Sequence, residues 1–123
     1  MAAQLEHHPA PAEVLCKALF NACDQLTLKQ EEIAKIIGSN RTSISRLKTK
    51  GSLDPESKQG ELALILLRIA RALFALSGGD PAWIKHFMRS RNKLTGGVPA
   101  EQLQTVQGLI RVMTYLDAIR GKV

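Results

Sequence analysis

Gln30-Glu-Glu-Ile-Ala34-Lys-Ile-Ile-Gly38-Ser-Asn-Arg-Thr-Ser-Ile44-Ser-Arg-Leu47 is a stretch of eighteen residues in which four positions carry steric work. Ala34 is small where two helices must cross closely. Gly38 can adopt the left-handed backbone of a tight turn. Ile44 and Leu47 are the apolar anchors of a second helix in an otherwise polar segment, three residues apart as one helical face requires. Helix, glycine turn and short anchored helix in this order are the pattern of a helix-turn-helix, which is expected between Thr27 and Lys50.

In that motif the second helix lies in the major groove with its N-terminal residues toward base edges. Asn40, Arg41, Thr42, Ser43, Ser45 and Arg46 are therefore the candidate DNA-reading residues. Arg pairs with guanine and Asn with adenine in bidentate fashion, while Ser and Thr are less selective. Lys48 and Lys50 lie further along and are expected on phosphate, with Gln30 at the start of the first helix. Arg41, Arg46, Lys48 and Lys50 fall together with no acid between Ser39 and Lys50. A charge run is often only a solvated face; here it coincides with the exposed side of a correctly spaced motif, which favours double-stranded DNA as partner.

Outward from the motif, periodicity reads as helix throughout. Residues 1–12, with His7, His8, Pro9 and Pro11, are expected to be a flexible tail; two histidines without a third ligand make no metal site. Leu15, Cys16, Leu19, Phe20 and Cys23 mark an amphipathic helix over 13–24. Thr27 is the expected cap of the next helix, with Gln30 as its reciprocal partner. A loop follows over Gly51–Gly60, then a helix over 61–77 that is apolar on nearly every face and must be buried on two sides. Asp80-Pro81 opens another helix, Gly96-Gly97 makes a turn, Pro99 starts a short helix, and Thr105 caps a last one that ends at Gly121. Gly108, inside that helix, implies close packing against a backbone. The expected fold is all-α: a helix-turn-helix domain over 13–60, packed through a long apolar helix onto a small helical domain over 61–123.

Composition agrees with a folded, basic chain. Of its 123 residues, 45% are hydrophobic and 23% charged, with a net charge of +6 and a pI near 9.7. Wholesale disorder is excluded. Cys16 and Cys23 are too far apart on one helix for a disulfide, roughly 10 Å, and read as buried thiols suited to a bacterial cytoplasm. There is no signal-like N-terminus, and the most apolar segment is interrupted by Arg68 and Arg71, so neither export nor membrane insertion is expected. His86 stands alone, no Cys, His and acid cluster has metal spacing, and no glycine-rich loop follows a strand; no enzyme, metal or cofactor is expected.

From Leu73 onward the chain resembles the C-terminal toxin-binding domain of the MbcA/ParS/Xre antitoxin family. Gly78-Gly-Asp, Phe87-Met-Arg-Ser-Arg-Asn92, Leu94-Thr-Gly-Gly97, Pro99, Gln104-Thr-Val-Gln-Gly108-Leu-Ile-Arg-Val112 and Tyr115-Leu-Asp-Ala-Ile-Arg-Gly-Lys-Val123 carry the resemblance. The family usually has Trp where Phe87 stands and often Pro where Arg91 stands; Trp83 lies nearby. The resemblance implies a type II antitoxin that neutralises a RES-domain toxin, a class that consumes or transfers from NAD. With the helix-turn-helix the chain is expected to repress its own promoter, as a homodimer, since the apolar helix over 61–77 is two-sided and operators of this motif are usually two-fold. The resemblance also implies that the C-terminal region covers the toxin's active-site cleft, which nominates Asn92, Lys93, Leu94, Thr95, Gly96 and Gly97 with Arg120, Gly121, Lys122 and Val123. The alternative is a stand-alone repressor of phage or metabolic type, without a toxin.

Overall fold

The computed structural model describes residues 10–121. Residues 1–9 of the expected tail, with His7 and His8, and the candidate contacts Lys122 and Val123 lie outside the described residues. Seven helices follow one another: α1 Pro11–Gln25, α2 Gln30–Ile36, α3 Arg41–Lys50, α4 Lys58–Ser77, α5 Pro81–Arg89, α6 Pro99–Gln102 and α7 Val106–Ile119. Among the described residues the one β feature is an isolated antiparallel bridge between Asn92 and Gly97. The all-α expectation holds.

The long helix α4 organises the rest. It packs on α1 along one side and on α7 along another, and also touches α5. Its Ala63, Leu66, Ile69 and Leu73 are fully enclosed, with Leu19 of α1 and Leu109, Val112 and Leu116 of α7. Each such large side chain contributes about 1.5–3 kcal/mol by leaving water. The two-sided burial read from its apolar surface is therefore met by helices from both halves of the chain, and the two halves share one core.

Three element starts differ from the sequence reading. Helix α1 opens at Pro11, two residues before Glu13, because proline suits the first helical position and the Glu13 carboxylate accepts from the Ala10 N–H. Helix α4 opens at Lys58, three residues before Glu61. There Ser57 accepts from the Gly60 N–H at 3.0 Å and donates to the Asp54 carbonyl at 2.6 Å. Gly60 is thus helical rather than part of the loop, and a Cβ on it would lie 2.1 Å from the Asp54 carbonyl oxygen.

The third difference concerns Thr27, which does not cap α2. It sits at φ 59°, closing α1 instead: its N–H bonds to the Asp24 carbonyl and the Leu28 N–H reaches back to Cys23. This is the helix-terminating arrangement in which glycine usually occupies the left-handed position. Lys29 is the N-cap of α2, and Glu32 rather than Gln30 reaches back to it, accepting from the Lys29 N–H at 2.8 Å.

Candidate nucleic-acid interface and partner loop

The helix-turn-helix is built as its spacing requires. Ala34 is buried in α2, Gly38 turns at φ 71°, and Ile44 is 1% exposed beneath α3. A side chain at Gly38 would meet nothing closer than Leu62 at 3.8 Å, so the backbone angle, not space, calls for glycine.

With Ile44 inward, Thr42, Ser45, Arg46 and Thr49 fall on the opposite side of α3 at the i, i+3, i+4, i+7 spacing of one stripe. All four are exposed. Thr49 was not singled out from the sequence, although the same spacing identifies it; its hydroxyl donates to the Ser45 carbonyl at 3.1 Å. Lys50 is exposed at the end of the helix, where Gly51 turns the chain at φ 76°.

The remaining candidates are partly engaged within the protein. Asn40 is the N-cap of α3, its side-chain oxygen accepting from the Ser43 N–H at 2.9 Å, which leaves its NH2 group free to donate outward. Gln30 Nε2 donates to Ser45 Oγ at 2.9 Å, bracing α2 against the reading stripe. Arg41 meets Glu31 at 3.7 Å with both side chains about 70% exposed; such a pair is worth little in water and leaves the guanidinium free to turn. Lys48, four residues after Ile44, lies beside the buried face, with Nζ 5.6 Å from the centre of the Phe20 ring. That cation–π contact draws it toward α1.

The C-terminal candidates divide between a turn and a helix end. In the turn, Asn92 and Gly97 exchange backbone bonds at 2.8 and 3.2 Å, and Asn92 Oδ1 accepts from the N–H groups of Leu94 and Thr95 at 2.8 and 3.1 Å. Thr95 is 1% exposed, and its carbonyl accepts from Gln102 Nε2 at 2.6 Å. Asn92 and Thr95 therefore shape the turn from inside, while Lys93, Leu94 and Gly96 form its outer surface. Leu94 is 74% exposed, the most of any large apolar side chain among the described residues. Before the turn, Trp83 stacks on Phe87 with ring centres 5.8 Å apart and planes within 4°.

Arg120 is exposed at the end of α7, followed by Gly121 at φ 73°. It lines an open groove of about 440 Å³ with Leu64, Leu67, Arg68, Arg71 and Asp117. In the turn, Gly96 lies beside the guanidinium of Arg111, a residue near the middle of α7. Arg111 and Arg120 are nine residues apart, or about 13.5 Å along the axis and on opposite sides of the helix. Arg120 and the arginine beside the turn thus face different sides of α7, and one partner touching both must reach around the helix as well as along it.

Across the middle of the fold lies a contact between the two halves. Arg89 of α5 grips both carboxylate oxygens of Glu32 of α2, at 2.7 and 2.8 Å, and also donates to the Thr27 carbonyl. Hydrogen bonding and the neighbouring positive charge hold the Glu32 carboxyl below its ordinary range and raise Arg89 further, against the opposing effect of burial. Burial pushes the Cys23 thiol up to about 12, so it carries no thiolate near neutral pH. No group of three metal-ligating side chains occurs among the described residues, and no helix there is long and apolar enough to cross a membrane.

The family profile for the antitoxin Xre-like helix-turn-helix domain matches residues 6–71, and that for the antitoxin Xre/MbcA/ParS C-terminal toxin-binding domain matches residues 70–122. A search of curated proteins returned no match.

Proposed function

The chain belongs to the Xre/MbcA/ParS antitoxin family, and on that premise we propose that it neutralises a RES-domain, NAD-consuming toxin and represses its own promoter. The pairing of the two antitoxin domains end to end in one chain carries this reading. The reading stripe Thr42, Ser45, Arg46 and Thr49 takes base edges, with Asn40, Arg41 and Ser43 beside it. Lys48, Lys50 and Gln30 hold the flanking phosphates. Phosphate contacts fix register, and base contacts select sequence.

The turn carrying Lys93, Leu94 and Gly96 is the toxin-facing surface, supported from within by Asn92, Thr95 and Gly97. The end of α7, Arg120 to Val123, is its second arm. An exposed leucine at the tip of an internally braced turn is suited to an apolar pocket in a partner, because little order must be gained on docking. The neighbouring arginines suit the acidic or phosphate-binding groups of a nucleotide enzyme.

We place a homodimer contact on the outward stripe of α4. Leu64 and Phe74 are 48% and 46% exposed there, flanking Arg68 and Arg71, and operators read by this motif are commonly two-fold. A bacterial cytoplasmic location follows from a promoter as target.

The test is co-expression with the neighbouring open reading frame, followed by affinity purification and by binding to the DNA upstream of the pair. A stable complex and a specific DNA shift support both halves of the reading. DNA binding without a complex points to a stand-alone repressor.

A further inference from the structure

The three residues that open α2 each reach a different neighbour. Gln30 bonds to Ser45 at 2.9 Å, Glu31 pairs with Arg41 at 3.7 Å, and Glu32 receives both prongs of Arg89 at 2.7 and 2.8 Å. The first two partners stand on the reading helix α3. The third stands on α5, in the toxin-binding half, three residues before the Asn92 turn.

Arg89 holds the entry to α2 at two points. Its guanidinium donates to the carbonyl of Thr27, the residue held at φ 59° where α1 ends. The Glu32 oxygen it grips at 2.8 Å also accepts from the Lys29 N–H, closing the first turn of α2. The pair is largely withdrawn from water, its side chains 30% and 14% exposed. The apolar contacts beneath α2, through Ile33, Ala34 and Ile36, are non-directional. A bidentate guanidinium–carboxylate pair sets direction as well as distance.

We propose that Arg89 is a positioning residue for DNA reading: through Glu32 and the Thr27 carbonyl it sets the first turn of α2, whose Gln30 and Glu31 in turn set Ser45 and Arg41 on α3. The inference rests on the promoter-binding reading above. Its consequence is that base selection depends on a side chain from the toxin-binding half, which itself touches no DNA.

The experiment uses the full chain, the duplex upstream of its own gene and a scrambled duplex of equal length and charge. Loose binding to any duplex rests on phosphate charge, whereas selective binding rests on register. Arg89→Gln and Glu32→Gln are expected to weaken the promoter duplex about tenfold, equivalent to 1.4 kcal/mol, and to leave the scrambled duplex within about twofold. The double variant should match Arg89→Gln, because that substitution already removes the Glu32 contact along with the bond to the Thr27 carbonyl. Arg89→Lys keeps the charge but not the two-pronged geometry and should fall between wild type and Arg89→Gln, which keeps the test open if the Gln variant unfolds. Wild-type selectivity in Arg89→Gln and Arg89→Lys would overturn the proposal. So would equal loss on both duplexes by folded variants, since Arg89 would then be a plain phosphate contact. Failure of wild type itself to prefer the promoter duplex would instead overturn the reading beneath it.

Discussion

Gly108 faces the backbone of Gln102 so closely that a Cβ on it would lie 2.0 Å from the Gln102 carbonyl oxygen. The contact joins α7 to the short α6 and sits on the turn capped by Thr105, whose hydroxyl accepts from the Gly108 N–H at 3.1 Å. Glycine is normally a poor residue inside a helix, by about 1 kcal/mol relative to alanine. Here its absent side chain is what lets the two segments meet.

Gly108→Ala is therefore expected to destabilise the fold by about 2–3 kcal/mol despite the gain in helix propensity, because backbone rather than a flexible side chain must move. Urea unfolding would show this as a lower midpoint. Gly60→Ala, which drives a Cβ against the Asp54 carbonyl oxygen, should behave alike.

Thr27→Gly is expected to do the opposite. A β-branched residue in the left-handed region is strained by about 1–2 kcal/mol, and the Thr27 hydroxyl is a buried oxygen without a partner among the described residues. Glycine removes both penalties and adds some unfolded-state entropy. A net gain of about 1 kcal/mol in unfolding free energy is expected, with the Arg89 contact to the backbone carbonyl preserved.

Stability should fall with acidification through Glu32. Arg89 holds this carboxyl below the ordinary carboxylate range, so the folded state binds the proton less readily than the unfolded chain does. The stabilisation is complete above the unfolded value of about 4.3 and is lost as pH falls through the lower, folded value. Glu32→Gln should be less stable at neutral pH and should show a shallower loss between pH 5 and 2, read from urea midpoints across that range.

Arg46→Ala is expected to weaken promoter binding by about 1–3 kcal/mol and to relax selectivity at its base, while Lys50→Ala should weaken all duplexes evenly and flatten the salt dependence. Thr49→Val tests the member of the stripe that the sequence reading passed over. It should change the preferred sequence more than the total affinity, as measured by selection from a randomised duplex pool.

The helix order, the glycine turn and the reading helix were legible because each depends on local chemistry: period, caps and one left-handed glycine. Asp80 and Thr105 cap as read, accepting from the N–H groups of Ala82 and Gly108. Thr27 misled because a threonine three residues before Gln30 has the spacing of a capping box, whereas the closing bonds of α1 claim it for a helix end. Glu32–Arg89 was not legible. It joins residues 57 positions apart, and nothing in either local segment marks its partner. The C-terminal turn was legible from Gly96-Gly97 and its candidacy as a partner contact from resemblance, but which of its residues face outward depends on the Asn92 and Gln102 bonds that bury Thr95.

Growth rescue tests the antitoxin role of this chain. Cells carrying the neighbouring open reading frame under an inducible promoter would be scored for growth with this chain, with its Leu94→Asp variant, and with neither. Arrest is expected when the neighbour is expressed alone, rescue by the wild-type chain, and loss of rescue by Leu94→Asp with promoter binding intact. Arrest that the wild-type chain fails to relieve, or rescue undiminished by Leu94→Asp, would contradict this reading: the first removes the antitoxin role for this pair, and the second removes the turn as the toxin-facing surface.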